Sequence, residues 1–350
     1  MSKTILVTGS SGFIGSFIVE EGLKQGYDVW AGVRGTSSHQ YLQDQRIQFA
    51  QLDMQNPEEL RSQLLACKGK MGGKGWDYVI HAAGATRGLH TEDFFRTNTE
   101  GTKNLINALQ ETDMVPRRFV FLSSFGIFGA IREKPVRRPT ADNPWIYSPI
   151  LLTDQPQPNT AYGKSKIAAE RYLQEQQGFP YTILRPTGVY GPRERDYYLM
   201  AKSIKQHLDV AVGLTPQEIT FVYVLDVVQA VYKSMVEPKA EGKAYFLSDG
   251  HIYNSRCYSD LVQKNLGNPW VLHLKLPLWL VRVVCWIGDR GSRLTGKMSL
   301  FNDDKYKIFS QRNWQCDIQP AIEDFGYTPE WPLERGVEAS IRWYKQEGWL

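Results

Sequence analysis

Tyr162 and Lys166 are the pair in this chain best suited to moving a proton. They stand four residues apart in Tyr162-Gly163-Lys164-Ser165-Lys166, heading a helical pattern that continues through Ala168, Ala169, Arg171 and Leu173. On a helix that spacing puts both side chains on one face. An ammonium beside a phenol favours the phenolate, so the tyrosine pKa is expected to fall from about 10 toward neutrality. Such a phenol is a usable general acid or base. Tyrosine–lysine pairs at this spacing are common in helices that do no chemistry, and two further features give this one weight. Ser123-Ser124 follow the apolar run 119–122, and so lie at the C-terminal end of a strand. Far upstream, Thr8-Gly9-Ser10-Ser11-Gly12-Phe13-Ile14-Gly15 joins the apolar, β-branched run 4–7 to a helical pattern over 17–25. In a strand–turn–helix unit of this kind Gly9 allows the tight turn, Gly12 lets the backbone approach a pyrophosphate, and Gly15 lets helix and strand pack closely. The pyrophosphate would rest on free N–H groups at the helix N-terminus, where the helix dipole favours negative charge.

The intervening sequence supplies the elements that must hold these groups together. Residues 28–33 read as a second strand ending at Arg34, where a dinucleotide fold meets the adenosine ribose. An acid there suits the 2′-hydroxyl of NAD, whereas an arginine suits the 2′-phosphate of NADP. A third strand over 47–52 ends at Asp53, expected to cap the helix beginning at Pro57-Glu58, to contact the adenine, or to do both. A fourth strand over 76–80 runs into His81-Ala82-Ala83-Gly84, whose small residues leave room beside the strand ends, and 97–109 reads as a helix with Asn98 near its start. The fifth strand is 119–122. The Pro-rich connection 130–160 is too long for a plain connector and is expected to shape a site. A sixth strand over 181–185 is closed by Pro186-Thr187-Gly188-Val189-Tyr190-Gly191-Pro192. Helices are expected over 200–207, 276–287, 320–325 and 333–346, and 244–247 is a short strand. The strict alternation predicts an α/β fold, a Rossmann-type doubly wound parallel sheet with a smaller C-terminal substrate-binding lid. Residues 1–190 form the dinucleotide-binding domain, with 219–236 returning to it, and 191–218 and 237–350 are mainly lid.

Bulk properties narrow the function. A length of 350 residues and 42% hydrophobic content suit one large or two joined domains with a full core. A net charge of +4 on such a chain makes no case for nucleic acid. Cys67, Cys257, Cys285 and Cys316 are far apart without metal-ligand spacing, so no metal is expected and a reduced, cytoplasmic compartment is. The N-terminus runs straight into a strand, which leaves no room for a signal peptide.

Taken together, the motifs resemble those of the extended short-chain dehydrogenase/reductase family, of the NAD-dependent epimerase/dehydratase type. They are Thr8-Gly9-x-x-Gly12-x-x-Gly15, His81-Ala82-Ala83, Ser123-Ser124, Tyr162-x-x-x-Lys166, Arg185-Pro186-x-x-x-Tyr190-Gly191-Pro192 and Phe221-Val222-Tyr223-Val224-x-Asp226-Val227, in family order. The segment from Asn313-Trp314-Gln315-Cys316-Asp317 to Phe325-Gly326-Tyr327-x-Pro329 is similar to the 3β-hydroxysteroid-dehydrogenase and dihydroflavonol-reductase branches. The resemblance implies a catalytic set of Ser124, Tyr162 and Lys166. Tyr162 is then the acid/base, Lys166 lowers its pKa and holds the nicotinamide ribose, and Ser124 hydrogen-bonds the substrate oxygen. Spacing to Gly129 favours Ser124 over its structural neighbour Ser123. The implied cofactor contacts are Gly9, Ser11, Gly12, Phe13, Ile14, Gly15, Arg34, Asp53, Met54, His81, Ala82, Ala83, Asn98, Leu122 and Ser123. Tyr162, Lys166, Pro186, Thr187 and Val189 complete them, the last three flanking the nicotinamide. Arg34 matches the arginine that selects NADP in dihydroflavonol-type reductases, so NADP is the expected cofactor, with NAD as the alternative.

The implied activity is hydride transfer between NADP(H) and a ketone or secondary alcohol, with a lipophilic small molecule among the candidate substrates. Phe125-Gly126 follow Ser124 where nucleotide-sugar 4,6-dehydratases carry Asp-Glu, which argues against dehydration. The long separation of Ser124 from Tyr162 fits the reductase branch better than a compact sugar epimerase. A nucleotide-sugar epimerase with tightly bound NAD is the second reading, and a non-catalytic NADP-binding regulator the third. A homodimer is allowed for. The stretch 276–287 is apolar apart from Arg282 and too short to span a bilayer. It reads as a core helix, an apolar wall for the substrate, or a surface at a membrane interface. No membrane association is expected beyond such a peripheral contact.

Overall fold

The structure is a computed structural model that describes residues 2–138, 140, 146–295, 299 and 302–350. Its central feature is the strand β1 (Thr4–Thr8), whose side chains alternate between two cores. Ile5 and Val7 enter one apolar cluster with Ile18, Val120, Leu184 and Val227. Leu6 enters the other with Val79, Leu105, Phe119 and Phe121. A strand buried on both faces needs an apolar run rather than an alternating one, and 4–7 is such a run. The helix α1 (Phe13–Lys24) starts four residues earlier than its periodicity indicated, because the glycine turn leads directly into it.

From there strands and helices alternate. β2 (Asp28–Val33), β3 (Gln48–Gln51), α2 (Pro57–Lys70) and β4 (Tyr78–His81) follow the expected order. The helix expected over 97–109 is instead α3 (Thr91–Phe94), one wide π turn over Phe95–Glu100, and α4 (Gly101–Glu111). Then come β5 (Arg118–Leu122), α5 (Ala161–Gln174) and β6 (Tyr181–Pro186). Beyond β6 lie β7 (Gly188–Tyr190), α6 (Arg195–Lys205), β8 (Leu208–Val212), β9 (Glu218–Ile219), β10 (Phe221–Tyr223) and α7 (Val224–Val236). β11 (Lys243–Leu247) comes from the stretch read mainly as lid, yet it is an edge strand of the large sheet.

That sheet has seven parallel strands in the order β11-β6-β5-β4-β1-β2-β3, flanked by helices. The chain runs outward from β1 in both directions, through β2 and β3 on one side and β4, β5 and β6 on the other. Between β1 and β4 the connections therefore diverge, which opens a crevice at the carboxyl ends of the strands. A third core cluster is rich in aromatics and joins Tyr190, Phe221, Tyr223, Tyr258 and Tyr344. It is built from β7, β10 and α6 together with α8 (Cys257–Asn265) and α12 (Leu333–Gln346). The remaining elements are β12 (Tyr253–Asn254), β13 (Leu272–Leu276), α9 (Leu278–Thr295), α10 (Asp303–Ser310) and α11 (Gln319–Phe325). Part of the long connection lies outside the described residues. The part at 146–150 is stitched to the C-terminal segment, where the Asn313 amide donates to the Ser148 carbonyl at 2.9 Å and the Ile150 N–H donates to the Gln315 carbonyl at 3.0 Å. Among the described residues, no helix is long and apolar enough to cross a membrane.

Candidate active site

The position of Tyr162 follows from how α5 begins. Thr160 caps the helix by accepting the Gly163 N–H on its hydroxyl at 3.0 Å. A Cβ on Gly163 would lie 2.6 Å from the Gly126 carbonyl oxygen, so only glycine lets this first turn rest on the turn 125–127. Ser124 caps that turn in the same way, accepting the Gly126 N–H at 3.1 Å. Tyr162 and Ser124 are thereby brought to line the same two cavities. Deeper along α5, the buried Glu170 carboxylate holds Arg185 of β6 with two oxygens, at 3.1 Å to Nε and 2.6 Å to Nη2. Such a fork-to-fork pair fixes orientation as well as distance. From the other side Thr99 donates its hydroxyl to the Ser165 carbonyl at 2.8 Å.

Lys166 does not behave as the sequence suggested. Its ammonium donates to the Leu122 carbonyl at 2.6 Å and lies 4.2 Å from the centre of the Phe121 ring. Burial pulls its pKa down to about 7, with Glu170 acting in the opposite direction. Burial also pushes the Tyr162 phenol above its ordinary value, opposed by the Ser124 hydroxyl. The expected fall of the tyrosine pKa toward neutrality is thus corrected. Without cofactor, desolvation outweighs any help from a lysine that is satisfied elsewhere.

A cleft of about 680 Å³ opens at the carboxyl ends of β1, β2 and β4. Of the cofactor contacts expected from sequence, Gly9, Ser11, Gly12, Phe13, Ile14, Gly15, Arg34, Asp53, Met54, Ala82, Ala83, Ser123, Tyr162, Pro186, Thr187 and Val189 line it. Gly9 has φ +69°, and a Cβ there would stand 2.6–2.7 Å from the backbone of Ala82 and Ala83. A Cβ on Gly15 would strike the Gly9 carbonyl. Among the described residues, no side chain caps the N-terminus of α1. The Ser123 hydroxyl is buried without a partner among the described residues. A turn that admits no side chain, an open helix terminus and a spare hydroxyl fit a dinucleotide with its pyrophosphate on α1.

His81, Asn98, Leu122 and Lys166, expected on the cleft wall, stand behind it. The His81 ring is held between Thr8 (2.6 Å at Nδ1) and Thr102 (2.9 Å at Nε2), with its pKa pushed down to about 3 by burial and by Lys166. Asn98, inside the π turn, accepts the Ala85 N–H at 2.7 Å and donates to the Ala85 carbonyl at 3.0 Å and Ser165 Oγ at 2.9 Å. It ties the loop after β4 to α5. Asp53 lines the cleft and accepts the Gln55 N–H at 2.9 Å in the turn before α2, whose cap is Asn56, which accepts the Glu59 N–H. Glu194, Asp196 and Tyr197, at the start of α6, line the cleft and escaped the sequence reading. The charged run directly after Tyr190-Gly191-Pro192 was the signal available for them.

A second cavity of about 420 Å³ meets the first at Ser124, Tyr162, Pro186, Thr187 and Tyr197. Its wall includes Phe125, Met200, Val210, Phe221, Phe309 and Trp314, and among the described residues none that lines it is an Asp, Glu, Lys, Arg or His. The polar groups are amides and hydroxyls, among them the Tyr258 hydroxyl, buried and without a partner among the described residues. No residue of 276–287 lines this cavity, which removes the reading of that stretch as a substrate wall. Nor is it a core helix, since Trp279 is 68% exposed and Trp286 60%.

The sequence profile of the NAD dependent epimerase/dehydratase family matches residues 5–254. Along almost its whole length the chain is similar to the UDP-glucose 4-epimerase of Vibrio cholerae, at 25% identity over 99% of this chain and 97% of that protein. It is also similar to the decarboxylating sterol-4-alpha-carboxylate 3-dehydrogenase of Candida albicans, at 21% identity over 99% and 98%. The crystal structure of a UDP-glucuronic acid 4-epimerase from Bacillus cereus in complex with NAD superposes with a TM-score of 0.72, at 21% identity over 98% and 99% of the two chains.

Proposed function

The chain belongs to the NAD dependent epimerase/dehydratase family, and on that premise we propose that it is an NADP(H)-dependent reductase or dehydrogenase acting on an apolar ketone or secondary alcohol. The observation that supports this choice within the family is the uncharged cavity beside Tyr162. A nucleotide sugar brings a diphosphate, and a buried diphosphate requires cations or an array of N–H donors. An apolar ketone needs hydrogen bonds only at its oxygen, and it loses little on entering a wall of phenylalanine, valine, methionine and tryptophan.

When bound, the nicotinamide cofactor supplies the hydride. The chain supplies the rest. Ser124 donates a hydrogen bond to the carbonyl oxygen and Tyr162 passes its phenolic proton to that oxygen, while Lys166 stays on the Leu122 carbonyl behind them. The raised pKa of Tyr162 keeps the proton in place at neutral pH, which suits the reducing direction. Elements beyond β6 line most of the cavity beside Tyr162 and form the proposed substrate-binding half. Arg34 at the adenosine end of the cleft, with no acid at Val33 beside it, supports NADP over NAD.

The test is NADPH consumption by the purified protein across a panel of apolar cyclic ketones, steroids and nucleotide sugars. Turnover confined to the apolar ketones is the expected result. Stoichiometric NAD retained through purification, with interconversion of a nucleotide sugar and no use of added NADPH, would establish the epimerase reading instead.

A further inference from the structure

The helix α9 is built inside out for a surface helix. Its buried positions, Val281, Cys285 and Ser292, form a narrow stripe. Its outward positions recur at helical spacing as Trp279, Arg282, Val283, Trp286, Ile287, Arg290 and Leu294, with Leu294 87% exposed. Large apolar side chains scattered singly on a surface mean little, but a contiguous face of them marks an interaction site.

The preceding strand extends this face. β13 pairs in parallel with β8, and the register sets Leu272 against Leu208, Leu274 against Val210 and Leu276 against Val212. Paired positions two residues apart share a face of a sheet, so six aliphatic side chains form one row. Leu208, Val210, Leu272 and Leu274 are exposed, whereas Val210 and Val212 also line the uncharged cavity beside Tyr162. The row runs from the outer surface into the cavity wall. α10, which packs on α9, adds Ile308 and Phe309 to the same wall.

Charge indicates what covers this face. Between Trp270 and Thr295 the sequence has four basic residues, Lys275, Arg282, Arg290 and Arg293, and a single acid, Asp289. The nearby acids of α10 are engaged within the protein, Asp303 with Lys307 and Asp304 with Lys307 and the Ala161 N–H. Tryptophans flanked by arginines suit the headgroup boundary of a bilayer, where indoles sit at the interface and guanidinium groups reach the phosphates. Among the described residues no helix is long and apolar enough to cross a membrane, so a membrane contact by α9 would be in the surface plane.

We infer that α9 and the β8–β13 face dock on the surface of an anionic membrane, with the apolar row leading a lipophilic substrate from the lipid into the cavity. The delivery step rests on the reading of the cavity as a site for an apolar ketone; the docking step does not.

Flotation of the full chain with phosphatidylcholine vesicles, with and without phosphatidylserine, tests docking with no substrate present. The protein is expected to float with the phosphatidylserine vesicles and to lose more than about tenfold in partitioning on Trp279→Ser/Trp286→Ser or Arg282→Glu/Arg290→Glu. Melting temperatures near that of the wild type would show that these variants are folded. A protein that stays at the bottom of the gradient with both vesicle types overturns docking. So does a concentration-dependent dimer that the tryptophan variant dissolves, which would assign the face to a second copy of the chain. For delivery, the tryptophan variant is expected to raise KM for a vesicle-embedded ketone while leaving KM for a water-soluble one unchanged; equal KM values for wild type and variant on the embedded ketone overturn that step.

Discussion

Tyr162→Phe keeps the ring that packs at the head of α5 and removes the transferable proton. Turnover is expected to fall at least ~100-fold with NADPH affinity unchanged, as read by steady-state kinetics and fluorescence titration; near-normal kcat would take the proton away from Tyr162. Because burial holds the phenol above its ordinary pKa, the reduction rate should stay flat through neutral pH and fall only under alkaline conditions, whereas alcohol oxidation rises with pH. Lys166 gives a second test with the sign reversed. Its folded pKa of about 7 lies below the unfolded value, so the unfolded chain binds more protons between the two. The wild type therefore loses stability relative to Lys166→Met as pH falls from about 10 to about 7, with no further change below. The melting temperature of the cofactor-free variant should exceed that of the wild type by more at about pH 6 than at about pH 10, and a difference independent of pH would contradict the burial argument. Arg34→Ala is expected to weaken NADPH binding about tenfold or more, since charged hydrogen bonds contribute roughly 1.5–3 kcal/mol each, and to leave NADH binding nearly unchanged. An equal loss for both cofactors would remove Arg34 from phosphate recognition. The tyrosine–lysine pair was legible because helical spacing is written in the sequence. The direction of the lysine was not, because it is set by a carbonyl at the end of β5.

Two elements, α5 and β6, place the reacting groups, and the buried Arg185–Glu170 pair holds them in register. Removing one partner leaves the other charged and without compensation in the interior. Glu170→Ala is therefore expected to cost about 3–5 kcal/mol in urea denaturation, and a loss below about 1 kcal/mol, the range of exposed pairs, would show that the pair does not pin the helix. The strand–helix alternation through β6 could be read from apolar runs and turn residues, because parallel strands buried on both faces leave continuous hydrophobic stretches. The π turn was invisible; within it Asn98 bonds both Ala85 and Ser165, contacts that no local sequence pattern announces. The fate of 276–287 was likewise hidden. Apolar content ordinarily indicates burial, yet in the folded chain Trp279 and Trp286 face outward.

At the scale of the whole molecule, a cleft with a glycine turn and a cavity without charge meet at Ser124 and Tyr162. The cleft was largely foreseen, because its wall comes from motifs that each carry their own local geometry. The cavity was not, because its residues come from the serine turn, β6, α6, β8, β10, α8 and α10, and no sequence pattern places Val210 beside Phe309. Yet the proposed choice among the reactions open to this family rests on the cavity. In the proposed reaction, hydride passes from cofactor to an external apolar ketone and stays there. Reduction of such a ketone with NADPH deuterated at C4 of the nicotinamide, followed by mass spectrometry of the product, tests it directly. One deuterium on the carbinol carbon of the alcohol, in step with NADPH consumed, is the expected result. Unlabelled substrate returned with the cofactor still reduced, while a nucleotide sugar is epimerised by the same preparation, would contradict it.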